Sequence, residues 1–380
     1  MVEWKKLGEV ANLVRGKVIS KDFIRDNAGI YPVYSSQTAN DGVLGYIDSY
    51  MFDGDFLTWT TDGAYAGTIF RRKGRFNITN VCGLIDIKDQ RLLQDYLYYW
   101  LSLIAKSYVQ EGMGNPKLMS NVASTILIPI PSLSEQQRIV SILDTFTSSI
   151  SNLKQQIEER RKQYEYERDL LLDLEGKEGV EMKKLGECVL FITDGDHQPP
   201  PKSSEGIPFV TISDIEKLSH TIDFSNTFFV PQEYYNSLKS DKKAKKGDVL
   251  YTVTGSFGIP VLIEDNREFC FQRHIALIRP NNTIALSRYI YHWLCSNYAK
   301  KQGEEKASGG AQKTVSLNSL RSFRFYYPPL QAQSRIVSIL DTFEQSISNL
   351  EEQLAMREKQ YEYYRNQLLT FEGEEERGKT

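Results

Sequence analysis

The 380-residue sequence has no apolar run approaching the roughly 18 residues that suggest a membrane-spanning helix. Its first ten residues, Met1 to Val10, lack the apolar core of a signal peptide. The four cysteines (Cys82, Cys188, Cys270, Cys295) are scattered, with no CxxC pair and no histidine at metal-ligand spacing. They read as buried reduced thiols of a cytoplasmic protein, and no metal site is expected. Nucleotide chemistry is missing as well. No glycine-rich dinucleotide loop occurs, and the Gly-x-x-x-x-Gly-Lys-Thr string at Gly373–Thr380 has no helix after it and carries Glu374, Glu375 and Glu376. Tyr326-Tyr327-Pro328-Pro329 lacks the polar residue that an adenine methyltransferase needs to hold its target amine. Asp194-Gly195-Asp196-His197-Gln198 has no second histidine nearby and reads as a turn. No catalytic residues are assigned, and the chain reads as a binding protein.

What is present describes two ordinary folded domains, with 41% hydrophobic and 25% charged residues. The net charge of −3 is unevenly distributed. Residues 1–131 carry 14 Lys+Arg against 13 Asp+Glu and residues 177–328 carry 20 against 17, whereas 132–176 and 329–380 are acidic, at 6 against 9 and 6 against 10. Two slightly basic blocks alternate with two acidic ones. A nucleic-acid binder needs a local positive face, not a positive total, so this pattern permits that class.

The chain is also duplicated. Arg138–Phe146 recurs letter for letter at Arg335–Phe343, an offset of 197, and the register from Arg138–Gly176 to Arg335–Gly373 holds 26 identities in 39 positions. Glu3–Glu9 matches Glu181–Glu187 at an offset of 178, so the second intervening block is longer by about 19 residues. Between these anchors there is little identity. Similar scaffolds with diverged heads suggest one common partner or geometry and two targets.

The conserved segments read as long helices. Apolar residues fall at Ile139, Leu143, Phe146, Ile150, Leu153 and Ile157, and again at Ile336, Leu340, Phe343, Ile347, Leu350 and Leu354. Alternating steps of four and three are the seam of a coiled coil. Ser134 with Gln137 predicts a capping box at the first start, and Gly176 and Gly373 predict the stops. Each helix would run about 60 Å at 1.5 Å per residue. A narrow stripe needs a partner, and the domain between the copies permits antiparallel pairing within one chain. Arg160 and Arg357 interrupt both seams at one heptad position.

The globular blocks read as mixed α+β. Val43–Tyr46, Phe56–Thr60, Thr68–Phe70 and Asn80–Ile87 are predicted strands of the first, with a helix over Leu92–Gln110. Ile207–Ile212, Asp248–Val253, Val261–Ile263 and His274–Ile278 are those of the second, with a helix over Ser287–Lys300. Candidate DNA contacts are Arg71, Arg72, Lys73 and Arg75, predicted at the tip of a hairpin, and Lys242 and Lys243 within a lysine run. Gln37, Lys117, Gln272, Arg273, His274, Gln312 and Lys313 have the donor and acceptor character that base edges require.

The whole chain resembles the specificity subunit of Type I restriction–modification systems. The likeness rests on the repeated Lys-Lys-Leu-Gly-Glu openings, Asp194–His197 before Gly206–Val210, and Lys246–Leu250 leading to Gly255–Gly258. Phe271–His274, Leu277–Pro280 and the helix starts Pro131–Val140 and Pro329–Val337 complete it. The resemblance implies two target-recognition domains, 1–132 and 177–329, separated by conserved helices at 133–176 and 330–373, with a charged tail at 374–380. The helices would form an antiparallel intramolecular coiled coil with a pseudo-two-fold repeat. Each domain would read half of a bipartite site in double-stranded DNA, and the helices would set the unread spacer. Two methyltransferase subunits would dock, restriction translocase subunits could join, and S-adenosylmethionine, ATP and Mg would be used by those partners. Two other classes stay open on residues alone, a coiled-coil adaptor with two protein-binding heads and an enzyme with an unrecognised site.

Overall fold

The computed structural model describes residues 2–111, 114–310 and 312–371; Gly373 and the charged tail lie outside them. Two helices dominate, Leu133–Leu172 and Leu330–Leu368. The first is capped by Ser132, whose hydroxyl accepts from the Glu135 amide at 3.3 Å, and not by the expected Ser134. Among the described residues no helix is long and apolar enough to cross a membrane.

The compact units do not follow chain order. Among the described residues, one comprises 2–152 with 354–371, and the other comprises 153–353. Each unit therefore holds one globular head, the start of one long helix and the end of the other. In the first unit, Ile139 and Leu143 from the start of the first helix share a core with Leu368, Leu369 and Phe371 from the end of the second. In the second unit, Ile336 and Leu340 share a core with Leu171, Leu172 and Leu174. The helices run antiparallel within each unit. Phe146 stacks on Tyr364 at 5.3 Å between centroids in one. In the other, Arg161 reaches Glu351, and the Tyr164 hydroxyl donates to Glu344 at 2.9 Å. Leu153 and Ile157 are buried, and Phe146, Ile150, Phe343, Ile347, Leu350 and Leu354 are half-buried, as a stripe facing a partner should be. The Arg357 guanidinium lies over Phe146, and Arg160 donates to Gln163 one turn on.

Both heads have one topology, although their sequences hide it. In the first, strands are ordered Ala11–Arg15, Cys82–Ile87, Phe52–Thr60, Ile69–Ile78, with Ala28–Tyr34 and Val43–Ile47 continuing the sheet. In the second, Val189–Asp194, Ile275–Pro280, Val249–Thr252 and Pro260–Leu262 repeat the first four positions. Phe228–Val230, Ile207–Val210 and Cys270–Phe271 form a second sheet. Each head also pairs its first strand with its last, Glu3–Lys6 with Leu127–Ile130 and Glu181–Lys184 with Arg324–Tyr327. The helices Gln94–Ile104 and Ser287–Cys295 correspond, and their buried Tyr96 and Tyr289 donate to the carbonyls of Pro129 and Tyr326.

One buried side chain joins each head to its helix. The Gln136 amide oxygen accepts from Leu93 N at 2.8 Å, while its nitrogen donates to the Arg91 and Pro131 carbonyls. Gln333, 197 residues on in the sequence, accepts from Leu286 N and donates to the Ile284 and Pro328 carbonyls. Both residues are fully buried.

The second head is longer partly because of a hairpin, Ile215–Glu216 with Thr221–Ile222, where the first has only a turn at Ala39–Gly42. Its turn residue His220 is left-handed (φ 55°), and its Nδ1 lies 3.4 Å from Cys295 Sγ. Burial, and then the charge of Arg168, push this imidazole down to about 4, although a bond to the backbone at Pro260 pulls the other way.

Two outcomes are expected. Gln136→Ala leaves three backbone groups without their buried partner and should cost about 3 kcal/mol in denaturant unfolding, as should Gln333→Ala for the other unit. A histidine protonated less easily when folded contributes fully above its unfolded value and loses that contribution as pH falls through the folded one. Stability of the second unit should therefore drop by up to about 3 kcal/mol between pH 6.5 and 4. In His220→Asn, which keeps a residue tolerant of the left-handed backbone, that drop should vanish from a pH series of unfolding midpoints.

Candidate nucleic-acid interface

In the second head three loops meet where the strands end, and backbone hydrogen bonds fix them around Val253. Val253 N donates to His274 O at 2.9 Å, Val315 N donates to Val253 O at 2.8 Å, and Gly255 N donates to Lys313 O at 3.0 Å. The Asp194–His197 loop joins them, since Arg273 N donates to Asp196 O at 3.0 Å. The first head repeats this frame around Thr61. Thr61 N donates to Val81 O at 3.1 Å, Leu118 N to Thr61 O at 3.0 Å and Gly63 N to Pro116 O at 3.0 Å. One frame therefore carries two different sets of side chains.

On the second head it gathers Gln272, Arg273, His274, Gln312 and Lys313. Among the described residues Arg273 and Lys313 are exposed and form no ion pair. Gln312 is exposed too, its amide nitrogen 3.2 Å from the position a Cβ on Gly255 would take. Burial, then Arg273 and His197, lower the pKa of His274, which leaves a neutral ring able to donate and to accept. His197 itself bonds Asp194 at 2.9 Å across the loop. On the first head the frame holds Lys117, exposed and 3.7 Å from Asp62. Gln37 lies nearby but its amide donates to the Val43 carbonyl, within the turn. Sequence reasoning passed over Arg15, which is exposed and donates to Asn80 O at 2.7 Å, and Lys17, which is exposed and bridges to Thr79. Neither belongs to a charge run, so only their position marks them.

The remaining candidates stand elsewhere. Arg71 to Arg75 are not at a hairpin tip but inside the ten-residue strand Ile69–Ile78, paired throughout with Phe52–Trp59. Arg72 is 3% exposed, stacked on Tyr34 and paired with Asp41 at 2.7 Å, so it cannot meet a phosphate. Arg71 faces its own unit, bridging Asp95 and Asp144 and lying on Tyr98 and Tyr99. Arg75 pairs with Asp53, while Lys73 is exposed. Lys242 supports the strand-end loop from within by donating to Gly195 O at 2.9 Å, and Lys243 lies on Tyr235.

A further cluster tests the fit of a metal ion. His292, Asp341 and Glu344 bring ligand atoms within 4.8 Å of one another. Their capacity is already taken. Arg288 bridges both carboxylates at 2.9 Å, His292 bonds Asp341 at 2.8 Å, and Tyr164 bonds both His292 and Glu344. Burial raises the pKa of Asp341, but His292 and Arg288 outweigh it and hold the carboxyl below its ordinary value. The guanidinium already supplies the cation, so these residues do not fit a metal. Tyr99, Asp144 and Arg71 form the corresponding cluster of the first unit.

Two heads of one topology, each seated on a start and an end of paired helices, define the architecture of a restriction–modification specificity subunit. The fold resembles the crystal structure of a Type I restriction–modification S subunit from M. genitalium, with a TM-score of 0.63 at 15% identity over 97% of both chains. The family model for the Type I restriction modification DNA specificity domain matches twice, over residues 1–160 and 177–356. The chain belongs to this family. It is 31% identical over 387 residues to a putative type I restriction enzyme specificity subunit of Haemophilus influenzae, covering 97% of this chain and 96% of that one. To a putative type I specificity subunit of Mycoplasma pneumoniae it is 29% identical over 377 residues, 96% of each.

Phosphate contacts release counterions, so each should be visible in the salt dependence of binding. Lys313→Gln and Lys117→Gln should each lower the slope of log affinity against log salt by about one. Lys73→Gln, away from the frame, should leave that slope unchanged in the same titration.

Proposed function

We propose that this chain is the sequence-reading subunit of a Type I restriction–modification enzyme, and that each head reads one half of a bipartite site in double-stranded DNA. The observation that carries the reading is the duplicated strand-end frame. The same three backbone hydrogen bonds recur in both heads, while the side chains they present differ. A shared frame gives both heads one way of approaching DNA; different letters on it give two half-sites.

The paired helices act as an antiparallel coiled coil that sets the unread spacer, and they dock two methyltransferase subunits. Their identity across the duplication supports two equivalent docking surfaces, because a symmetric scaffold recruits identical partners. Restriction translocase subunits join that complex. Methyl transfer and translocation belong to those partners, which bind S-adenosylmethionine, ATP and Mg; this chain supplies recognition and no catalytic group.

Exchanging residues 1–132 for the corresponding head of a different specificity subunit tests the reading. Methylome sequencing of a strain carrying the hybrid should show one half of the methylated site replaced and the other half retained. An unchanged site would sink the assignment.

A further inference from the structure

The frame also contains a position where the two heads differ in kind. In the first head the loop from Thr60 to Thr68 is a rigid turn. Gly67 N donates to Thr60 O at 2.9 Å, and Thr68 N donates to the Thr60 hydroxyl at 3.0 Å. The Thr60 and Thr68 hydroxyls both donate to the carbonyl of Tyr65. Gly63 and Gly67 adopt φ of +95° and +81°, and a Cβ on Gly67 would meet Val109 and Ala105. The turn is therefore built from backbone and two threonine hydroxyls, and the side chain of Tyr65 takes no part in it. That ring is 56% exposed. Among the described residues its hydroxyl has no hydrogen-bond partner and its ring no aromatic neighbour.

The second head builds the same turn. Gly258 N donates to Thr252 O at 2.9 Å, Ile259 N to the Thr252 hydroxyl at 2.9 Å, and that hydroxyl to the carbonyl of Ser256 at 2.8 Å. Ser256 thus holds the position of Tyr65. The aromatic residue one place later, Phe257, turns inward with its ring 3.4 Å from the position of a Cβ on Gly303. The corresponding residue of the first head, Ala66, is buried. One head exposes an aromatic ring on a rigid mount, and the other exposes a hydroxyl.

We propose that Tyr65 is a stacking wedge of the first head, inserted against an unstacked base step of the half-site that this head reads. The proposal rests on the reading of the chain as a DNA-recognition subunit. Burying an aromatic ring is worth more than leaving it in water, so an exposed ring on a rigid backbone mount, in the frame that also carries Lys117, is poised for a flat apolar partner. A base face is such a partner. A wedge reads the cost of unstacking, which differs between base steps. Ser256 offers no surface for stacking, so the second half-site meets no such wedge.

The test uses the full chain assembled with its methyltransferase subunits and duplex DNA carrying the site mapped by methylome sequencing. 2-Aminopurine is placed in turn at positions across each half. With the wild-type complex, fluorescence should brighten several-fold at one step of the first half-site besides the adenine that the methyltransferase subunits turn out of the stack, and at no such further step of the second. Tyr65→Ala should abolish the brightening and weaken binding roughly ten-fold, with the thermal midpoint unchanged because the ring supports no part of the turn. Tyr65→Phe should keep both properties. Wild-type affinity in Tyr65→Ala, to within two-fold and with the brightening intact, would overturn the wedge while leaving the recognition reading in place. Loss of binding in Tyr65→Phe would overturn it too, since the hydroxyl would then be the contact. If the wild-type complex did not discriminate its mapped site from unrelated DNA, the recognition reading and the wedge would fall together.

Discussion

A helix of some 40 residues with a narrow apolar stripe cannot bury that stripe alone, and a small sheet with one apolar face cannot close its core alone. This chain answers both problems with the same residues. Leu368 at the end of the second long helix, with Leu369 and Phe371 just beyond it, completes the core of the first head, where Phe371 lies against Trp4 and Trp100. Leu171, Leu172 and Leu174 at the end of the first long helix do the same for the second head. Each unit is thereby assembled from chain segments far apart in sequence. Neither head has its full core until a helix end from the other copy arrives, which ties both copies into one folding problem.

That dependence explains what the duplication kept. The helix starts carry Gln136 and Gln333, each satisfying three backbone groups of its own head. Asp144 and Asp341, also at an offset of 197, anchor cations of their heads, and these cations come from different elements. In the first unit Arg71 of a sheet strand bridges to Asp95 of the head helix and to Asp144. In the second, the cation has moved onto the helix as Arg288, with Glu264 beside it. The carboxylate is constant and the cation is placed where each head can supply it. Fixed anchors with movable partners let head sequences drift while the seat stays the same.

Much of this organisation was legible in the letters, because helical periodicity and internal identity are long-range signals that survive local noise. The seam and the two long helices came from them, and the family resemblance from short motifs in the heads and at the helix starts. The heads were harder. The run Arg71 to Arg75 looks like a turn because it is polar and contains glycine, yet Gly74 pairs across the ladder with Gly54 and the strand continues. Arg72 looks like surface, but Tyr34 and Phe70 cover its guanidinium and Asp41 neutralises it. Stacking of that kind leaves no spacing to read. The kinship of the head helices had a weak signal, Tyr-x-x-x-Trp at Tyr96–Trp100 and Tyr289–Trp293, which gains meaning only from the shared strand order. The strand-end frame had none, since backbone bonds between distant loops do not constrain which side chains the loops carry.

The same distinction changes what the charge distribution means. The heads' small basic excess is not a reserve of cations for DNA, because many of those residues are spent inside the fold. Arg72 is buried, Arg71, Arg75, Arg279 and Arg288 sit in ion pairs, and Lys242 holds a backbone carbonyl. Among the described residues, what remains on the strand-end faces is a handful, Arg15, Lys17 and Lys117 (3.7 Å from Asp62) on one and Arg273 and Lys313 on the other. So few phosphate contacts give weak non-sequence-specific attraction, particularly beside acidic helices. On the proposed reading, discrimination then comes from contacts that depend on the bases, such as paired donors and acceptors on Gln312 or His274 and flat surface on Tyr65. A sparse electrostatic face therefore suits a reader that has to release the wrong sequence easily.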